Sequence, residues 1–378
     1  MTQILAARSA FPVHRYPQAE LTRKVAELAR LGPARRALLE RLHRNAGVDT
    51  RHTVLPLPEY GTLDGVGPAN DRYIEEATAL GERALRAALD GAGVAASDID
   101  LLVVTSVTGV AVPSLDARLI PGLGLRPDVK RLPVFGLGCV AGAAALSRVH
   151  DYLLGWPGHT AALLSIELCS LTWQVTADTT ADFVASGLFG DGAAALIAEG
   201  TQAASQRGAT LSGRSGDEPA SSDEGRQRGQ ARRRRAAEVL ATRSEVYPDS
   251  SDSLGWRLGS DGFRIVLTAD LADVVERRLA GTVTSFLAGH GLTIGDIDTW
   301  ICHPGGPKVL DAVRDSLKLP ESALALSRRS LAEAGNLSSA SVLEVLERSL
   351  EGPPRPGSFG LMVGLGPGVS AELVLLRW

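Results

Sequence analysis

An α/β fold built from two related halves is the architecture that this 378-residue chain predicts. Three observations carry the prediction. Short apolar runs of strand length alternate with stretches whose apolar residues recur at helical spacing. The runs are continuous rather than alternating, as strands buried on both faces require. One segment also occurs twice. Gly93-Val94-Ala95-Ala96-Ser97-Asp98-Ile99-Asp100 leads into Leu101-Leu102-Val103-Val104; Gly291-Leu292-Thr293-Ile294-Gly295-Asp296-Ile297-Asp298 leads into Thr299-Trp300-Ile301-Cys302.

The elements follow from these periodicities. Ala77–Leu89 is helical and Leu101–Thr105 is a strand; Ala141–Leu154 is helical, and Thr160–Ile166 and Ala193–Ile197 are strands. The second half repeats the alternation with a helix over Val274–Leu287, a strand at Thr299–Cys302 and a helix from Asn336. Strands at Gly360–Val363 and Ala371–Leu376 close it. Two halves that share a repeat stack most simply around common central helices. Gly138-Cys139 and Gly335-Asn336 stand at corresponding points of the repeat. An active site built across a pseudo-twofold axis is the expectation.

The halves are placed at residues 1–200 and 243–378. Between them, 201–242 is rich in Ser, Gly, Arg, Glu and Asp and reads as a low-complexity, disordered insertion. Its run Arg232-Arg233-Arg234-Arg235 admits a phosphate-binding reading or a solvated one, part-neutralised by Asp217, Glu218, Asp223 and Glu224. Ala236–Ala241 adds a short helix.

Charge and composition narrow the function. With 39 basic and 43 acidic residues the net charge is −4, which gives no electrostatic case for nucleic acid or an anionic membrane. No apolar run reaches membrane-spanning length, and the start lacks the apolar segment of a signal peptide, so a cytoplasmic protein is expected. Three cysteines without a CxxC pair form neither a disulfide framework nor a zinc site.

Chemistry concentrates at four places. Phe135-Gly136-Leu137-Gly138-Cys139-Val140-Ala141-Gly142 puts a cysteine among small residues at a strand-to-helix turn. A helix N-terminus favours thiolate, which matters for a thiol of ordinary pKa about 8.5. A small buried packing cysteine is the bland alternative. His303 follows an apolar strand and precedes the stiff loop Pro304-Gly305-Gly306-Pro307-Lys308, at the strand end where α/β proteins place reacting groups. Asn336 caps a helix or carries chemistry. Gly364-Leu365-Gly366-Pro367-Gly368 shapes a ligand loop or turns a hairpin. His14, His43, His52, His150, His159 and His290 have no comparable setting, and Cys302 reads as sheet packing.

Together these segments resemble the type III polyketide synthases, the chalcone synthase-like enzymes of the thiolase superfamily; Leu188-Phe189-Gly190-Asp191-Gly192 matches as well. The resemblance spans the chain outside the insertion and implies a thiolase-like fold of duplicated halves stacked as αβαβα layers. Thr108–Arg118 and Ile166–Thr172 look closest to actinobacterial alkylpyrone-type synthases.

Roles follow from that resemblance. Cys139 would take an acyl group from a coenzyme A thioester. His303 would hold the thiolate as an ion pair and, with Asn336, donate to the thioester carbonyl as malonyl-CoA loses carbon dioxide. No metal or prosthetic group is implied; coenzyme A thioesters are substrates. Phe189 matches the gate between coenzyme A tunnel and cavity. Gly366 and Pro367 match the cavity scaffold, with Leu365 where Phe is common.

Val107, Cys169, Leu171 and Ser338 should face the growing chain. Val107 and Cys169 stand where plant enzymes carry Thr, so an aliphatic starter and an alkylpyrone or alkylresorcinol product are expected. Coenzyme A should lie near Arg35–Arg44. Arg41 matches a basic family position, Leu38 and Asn45 replace lysines, and Arg44 or Lys308 could compensate. Val112 matches an interface residue, so a homodimer is expected. The alternatives are a ketoacyl synthase III-like single-condensation enzyme, disfavoured by the Pro-Gly-Gly-Pro after His303, and a non-catalytic relative, disfavoured by retention of Cys139, His303 and Asn336.

Overall fold

The computed structural model describes residues 1–63, 65–173, 179–205, 237–250, 253–259, 262–268 and 271–378. The first half contains β1 (Thr2–Ala10), β2 (His14–Pro17), α1 (Gln18–Leu28), α2 (Pro33–Arg44), β3 (Thr50–Thr53) and α3 (Val66–Ala92). It continues with β4 (Leu101–Thr105), α4 (Leu115–Leu123), β5 (Lys130–Val134), α5 (Ala141–Gly155), β6 (Thr160–Leu168), α6 (Thr180–Leu188) and β7 (Asp191–Gly200). The second half contains β8 (Ala237–Val246), β9 (Leu254–Gly259), β10 (Gly262–Leu267), α7 (Leu271–Ala288) and β11 (Ile297–Cys302). It ends with α8 (Pro307–Leu317), α9 (Ala325–Ala334), α10 (Ser341–Glu351), β12 (Phe359–Gly366) and β13 (Ser370–Arg377).

Why the strands read as continuous apolar runs is visible in their two faces. On β4, Leu102 and Val104 pack outward against α3 and α4, while Leu101 and Val103 face an inner core. On β13, Ala371, Leu373 and Leu375 join an outer core with α7 and α8, while Val374 and Leu376 face inward. Between the two sheets lie α5 and α10, which supply Leu146, Val149, Leu343 and Leu346 to the same inner core. The order from one face to the other is α3/α4, sheet, α5/α10, sheet, α7/α8, the expected αβαβα layering.

The sheets are one continuous ladder in the order β11-β12-β13-β8-β1-β7-β6-β4-β5. β4 runs parallel to β5 and β6, and β11 runs parallel to β12; every other neighbour in the ladder is antiparallel. The join is β1 with β8, where Thr2, Gln3 and Ile4 oppose Val239, Glu238 and Ala237. Both copies of the Asp-Ile-Asp repeat form a 3₁₀ turn that delivers an apolar strand, β4 and β11.

Residues 237–242, assigned to the insertion and expected to be helical at their start, are instead the first part of β8. Alternate residues Ala237 and Val239 are buried, and the strand fills the gap between β1 and β13. Pairing on both edges overrides the helical composition. Residues 201–205, also assigned to the insertion, are ordered instead, with the Gln202 and Ala203 N–H groups donating to the Pro157 carbonyl; 206–236, with the arginine run, lies outside the described residues. Among the described residues no helix is long and apolar enough to cross a membrane.

Candidate active site

The two central helices begin alike. A residue with positive φ opens a 3₁₀ turn and the α-helix follows: Gly138 (φ 55) before α5, and Ser338 (φ 50) before α10. Cys139 is therefore matched in space by Ser339, not by Asn336, which lies three residues earlier in the loop. The helix expected from Asn336 starts with the turn Ser338–Ala340 and becomes α-helical at Ser341.

Close packing explains the small residues around Cys139. A side chain on Gly142 would meet the Ser339 carbonyl at 2.2 Å, so α5 and α10 cross backbone to backbone. A Cβ on Gly366 would lie 2.7 Å from the Val140 nitrogen, and one on Gly138 would lie 2.5 Å from Pro367. The Gly364–Gly368 segment is thus both the β12–β13 hairpin and the floor beneath the cysteine turn.

A chain of contacts joins the three candidate residues. Cys139 Sγ donates to Ser338 Oγ at 3.6 Å; the Ser338 N–H donates to Asn336 Oδ1 at 2.8 Å. The Asn336 amide nitrogen reaches the Gly305 carbonyl at 3.5 Å, and the Gly305 N–H donates to the His303 carbonyl at 2.9 Å. All three are buried, and His303 Nδ1 has no hydrogen-bond partner among the described residues. Burial pushes the Cys139 thiol up to about 12 and the His303 imidazole down to about 4. Each shift opposes the charged form, so burial by itself favours the neutral thiol bonded to Ser338 and the neutral imidazole over a thiolate–imidazolium pair. The α5 N-terminus and mutual attraction would have to offset that cost when the pair forms.

Phe189 follows α6 and forms a parallel bridge with Asn336. Its carbonyl accepts from Arg51 Nη1 at 2.6 Å. Its ring lines a cavity of about 470 Å³ together with Cys169, Leu171, Tyr60, Trp173, Trp256 and Phe263. Cys169 and Phe189 belong to the same buried cluster as Cys139. Of the four residues expected to face the growing chain, Cys169 and Leu171 line this cavity. Val107 and Ser338 do not: the Val107 N–H is tied to Glu167 Oε2 at 3.0 Å, and Ser338 holds Cys139.

The expected wall is also more polar than Val107 and Cys169 imply, since Tyr60, Asn70, Thr108, Ser170 and Thr172 line it. Sequence reading missed Tyr60, Trp256 and Phe263. The last two sit on the β9–β10 hairpin, with Phe189–Trp256 and Trp256–Phe263 ring centroids 6.2 and 6.4 Å apart. The alternation around Leu254–Leu267 was the available signal.

Arg41 is exposed on α2, and Lys308 is exposed in the first turn of α8. The end of α2 approaches α8, since a Cβ on Gly47 would lie 2.9 Å from Pro307. Leu365 and Cys302 are buried in their strands.

A duplicated αβαβα fold with buried Cys and Asn at the starts of the two central helices and a buried His at the end of β11 defines a thiolase-like condensing enzyme. Residues 1–202 match the family "Chalcone and stilbene synthases, N-terminal domain", and residues 238–378 match its C-terminal domain. The chain is 53% identical to a 1,3,6,8-tetrahydroxynaphthalene synthase of Streptomyces peucetius subsp. caesius, covering 100% of this chain and 93% of that one. It is 30% identical to a phloroglucinol synthase of Pseudomonas fluorescens over 100% of this chain and 99% of that one. The crystal structure of 1,3,6,8-tetrahydroxynaphthalene synthase from Streptomyces coelicolor superposes with a TM-score of 0.85 at 30% identity, covering 100% and 99% of the two chains. The chain belongs to the chalcone and stilbene synthase family: it is a bacterial-type type III polyketide synthase, an acyltransferase of decarboxylative Claisen condensations.

Proposed function

We propose that this synthase extends a malonyl-derived chain on Cys139 and closes it to a polyhydroxylated aromatic of the tetrahydroxynaphthalene type. The observation that carries the product is the 53% identity, over the whole chain, to a protein of that name. The cavity agrees with it. Tyr60, Ser170, Thr108 and Thr172 offer hydroxyl partners that suit a chain of ketones, and Trp256 limits its length. The competing reading, an alkylpyrone or alkylresorcinol from an aliphatic acyl-CoA, draws support from the buried Leu171 and Cys169.

In this reading the acyl group passes from coenzyme A sulfur to Cys139 Sγ, and His303 takes the thiol proton. His303 and Asn336 then donate to the malonyl thioester oxygen as the carbon–carboxylate bond breaks. Each such donor contributes roughly 3–4 kcal/mol at the transition state. The enolate carbon attacks the Cys139 thioester, and the thiolate leaves. Arg41, Arg44 and Lys308, on neighbouring elements, would face the phosphates of coenzyme A. No resident cofactor enters the cycle.

The working form in this reading is a homodimer. β5 is an edge strand, and Val110, Val112, Phe135 and Leu137 around it are exposed, with Val112 89% accessible. A second copy laid on that edge would cover them. The setting is cytoplasmic, consistent with free thiols at Cys139, Cys169 and Cys302.

The test is product analysis with malonyl-CoA alone and with acyl-CoA starters of graded length. An aromatic from malonyl-CoA alone supports the first reading. Alkylpyrones formed only with long starters support the second, and a single extension would revive the ketoacyl synthase III-like alternative.

A further inference from the structure

A polar chain that no part of the condensation uses runs out of the core into the cavity wall. Asp191 is wholly buried at the start of β7, where its Oδ2 accepts the Val54 N–H and its Oδ1 accepts the Ser170 N–H, both at 2.7 Å. The Ser170 hydroxyl donates to Asp191 Oδ2. Tyr60 in turn lies 2.6 Å from Ser170 Oγ, and the phenol accepts the Leu55 N–H at 3.1 Å. With Asp191 ionised the serine proton goes to the carboxylate and the phenol donates to Ser170. With Asp191 protonated the chain reverses: the carboxyl donates to Ser170, Ser170 donates to the phenol oxygen, and the phenol proton is free for an acceptor in the cavity. Tyr60 and Ser170 both line the cavity, and Ser170 adjoins Cys169 in the cluster that holds the reactive cysteine. Trp173, also in the lining, packs its ring 4.9 Å from the Tyr60 ring and fixes its plane.

Carbon–carbon ring closure on a chain of ketones has a requirement that chain extension lacks. When an enol carbon attacks a ketone carbon, the ketone oxygen becomes an alkoxide far from His303 and Asn336, which are aimed at the thioester. A neutral donor in the cavity wall, backed by a proton supply, meets that need. Burial raises the Tyr60 phenol well above its ordinary value, so it stays protonated as a donor, and raises Asp191 to about 6, so the carboxyl carries a proton in part of the population near neutrality.

We propose that Tyr60 is a catalytic acid for ring closure, with Ser170 and Asp191 as its proton supply; this rests on the aromatic-product reading above. As the new carbon–carbon bond forms and the carbonyl π bond breaks, the ketone oxygen takes the phenol proton. The phenolate takes the Ser170 proton, and Ser170 takes the one held by Asp191. The enol hydroxyl gives its proton to solvent as it becomes a ketone, and Asp191 regains one from solvent back through Tyr60 and Ser170, so the proton count closes and no oxidant or reductant is needed.

The experiment gives the full-length enzyme and its Tyr60→Phe and Ser170→Ala variants malonyl-CoA, and reads coenzyme A release and product identity in the same samples. Tyr60→Phe keeps the ring packed on Trp173. Aromatic product per coenzyme A released should fall roughly a hundredfold in favour of lactones and open chains. Ser170→Ala should fall between the two. An unchanged aromatic fraction in Tyr60→Phe overturns the proposal alone. So does a loss of coenzyme A release in step with product, which marks a structural role. If the wild type itself yields only lactones, the product reading fails and this proposal falls with it.

Discussion

Phe189 and Asn336, from opposite halves of the duplicated fold, are joined by a single backbone bridge. The Asn336 N–H donates to the Leu188 carbonyl at 2.8 Å, and the Gly190 N–H donates to the Asn336 carbonyl at 3.0 Å. Phe189 in the cavity wall and the amide proposed to stabilise the enolate are therefore tied to each other by main-chain hydrogen bonds. Glycine is required on both sides of the crossing: a Cβ on Gly190 would lie 2.3 Å from the Ala334 carbonyl, and Gly335 has φ 74 against the Leu188 carbonyl.

Arg51 fastens this bridge. Its Nη1 holds the Phe189 carbonyl, its Nε donates to Gln18 Oε1 at 3.0 Å, and its charge faces the buried Asp191. Arg51→Met takes the donor from the Phe189 carbonyl and removes the positive charge facing Asp191. A loss of about 3 kcal/mol in unfolding free energy is expected by chemical denaturation, with malonyl decarboxylation falling in the residual folded enzyme. A variant as stable as wild type would contradict this role.

The crossing of α5 and α10 gives a second prediction. Gly142→Ala forces a methyl into the Ser339 carbonyl, and the helices must part beside Cys139. A cost of about 3 kcal/mol is expected, measured as a lower thermal midpoint, together with loss of condensation. Full activity at wild-type stability would show that the helices are not in backbone contact.

Trp256 sets a third. Removing its ring with Trp256→Ala opens the cavity beside Phe189 without touching Cys139, His303 or Asn336. Products should lengthen by whole two-carbon units on mass spectrometry, with turnover reduced only a few-fold. An unchanged product distribution would place the length limit elsewhere.

The buried imidazoles predict a pH dependence. Burial lowers His303 to about 4 and His43 to about 3. A depressed folded value means that each histidine contributes stability above its unfolded value near 6.5 and loses it as pH falls towards the folded value. For His303 the loss by pH 4 approaches about 3 kcal/mol. The denaturation midpoint should fall between pH 6.5 and 4, and His303→Gln should flatten part of that slope. Equal slopes would mean that the imidazole is not desolvated.

Much of this was legible in the residues. The repeated Asp-Ile-Asp segment revealed the duplication because both copies meet the same demand, a 3₁₀ turn feeding a buried strand. Cys139, His303 and Asn336 stood out because each lies at an element end among small residues. The N-terminal strand β1 was missed. Thr2–Ala10 mixes polar and apolar residues, and its place between β7 and β8 depends on partners such as Gly200 and Val239, far along the chain from Thr2. The local match of Gly-Cys with Gly-Asn suggested a wrong equivalence, because the shared feature is a positive-φ residue and Ser338 supplies it without glycine. Tyr60 and Trp256 escaped notice because cavity walls are made by packing between distant segments.

The most direct test of the account is the site of acylation. Purified enzyme incubated with a labelled acyl-CoA, trapped by acid and mapped by mass spectrometry, should carry one acyl group on the peptide containing Cys139, and Cys139→Ala should carry none. Acylation that persists in Cys139→Ala, or that maps to the neighbouring Cys169, would contradict it.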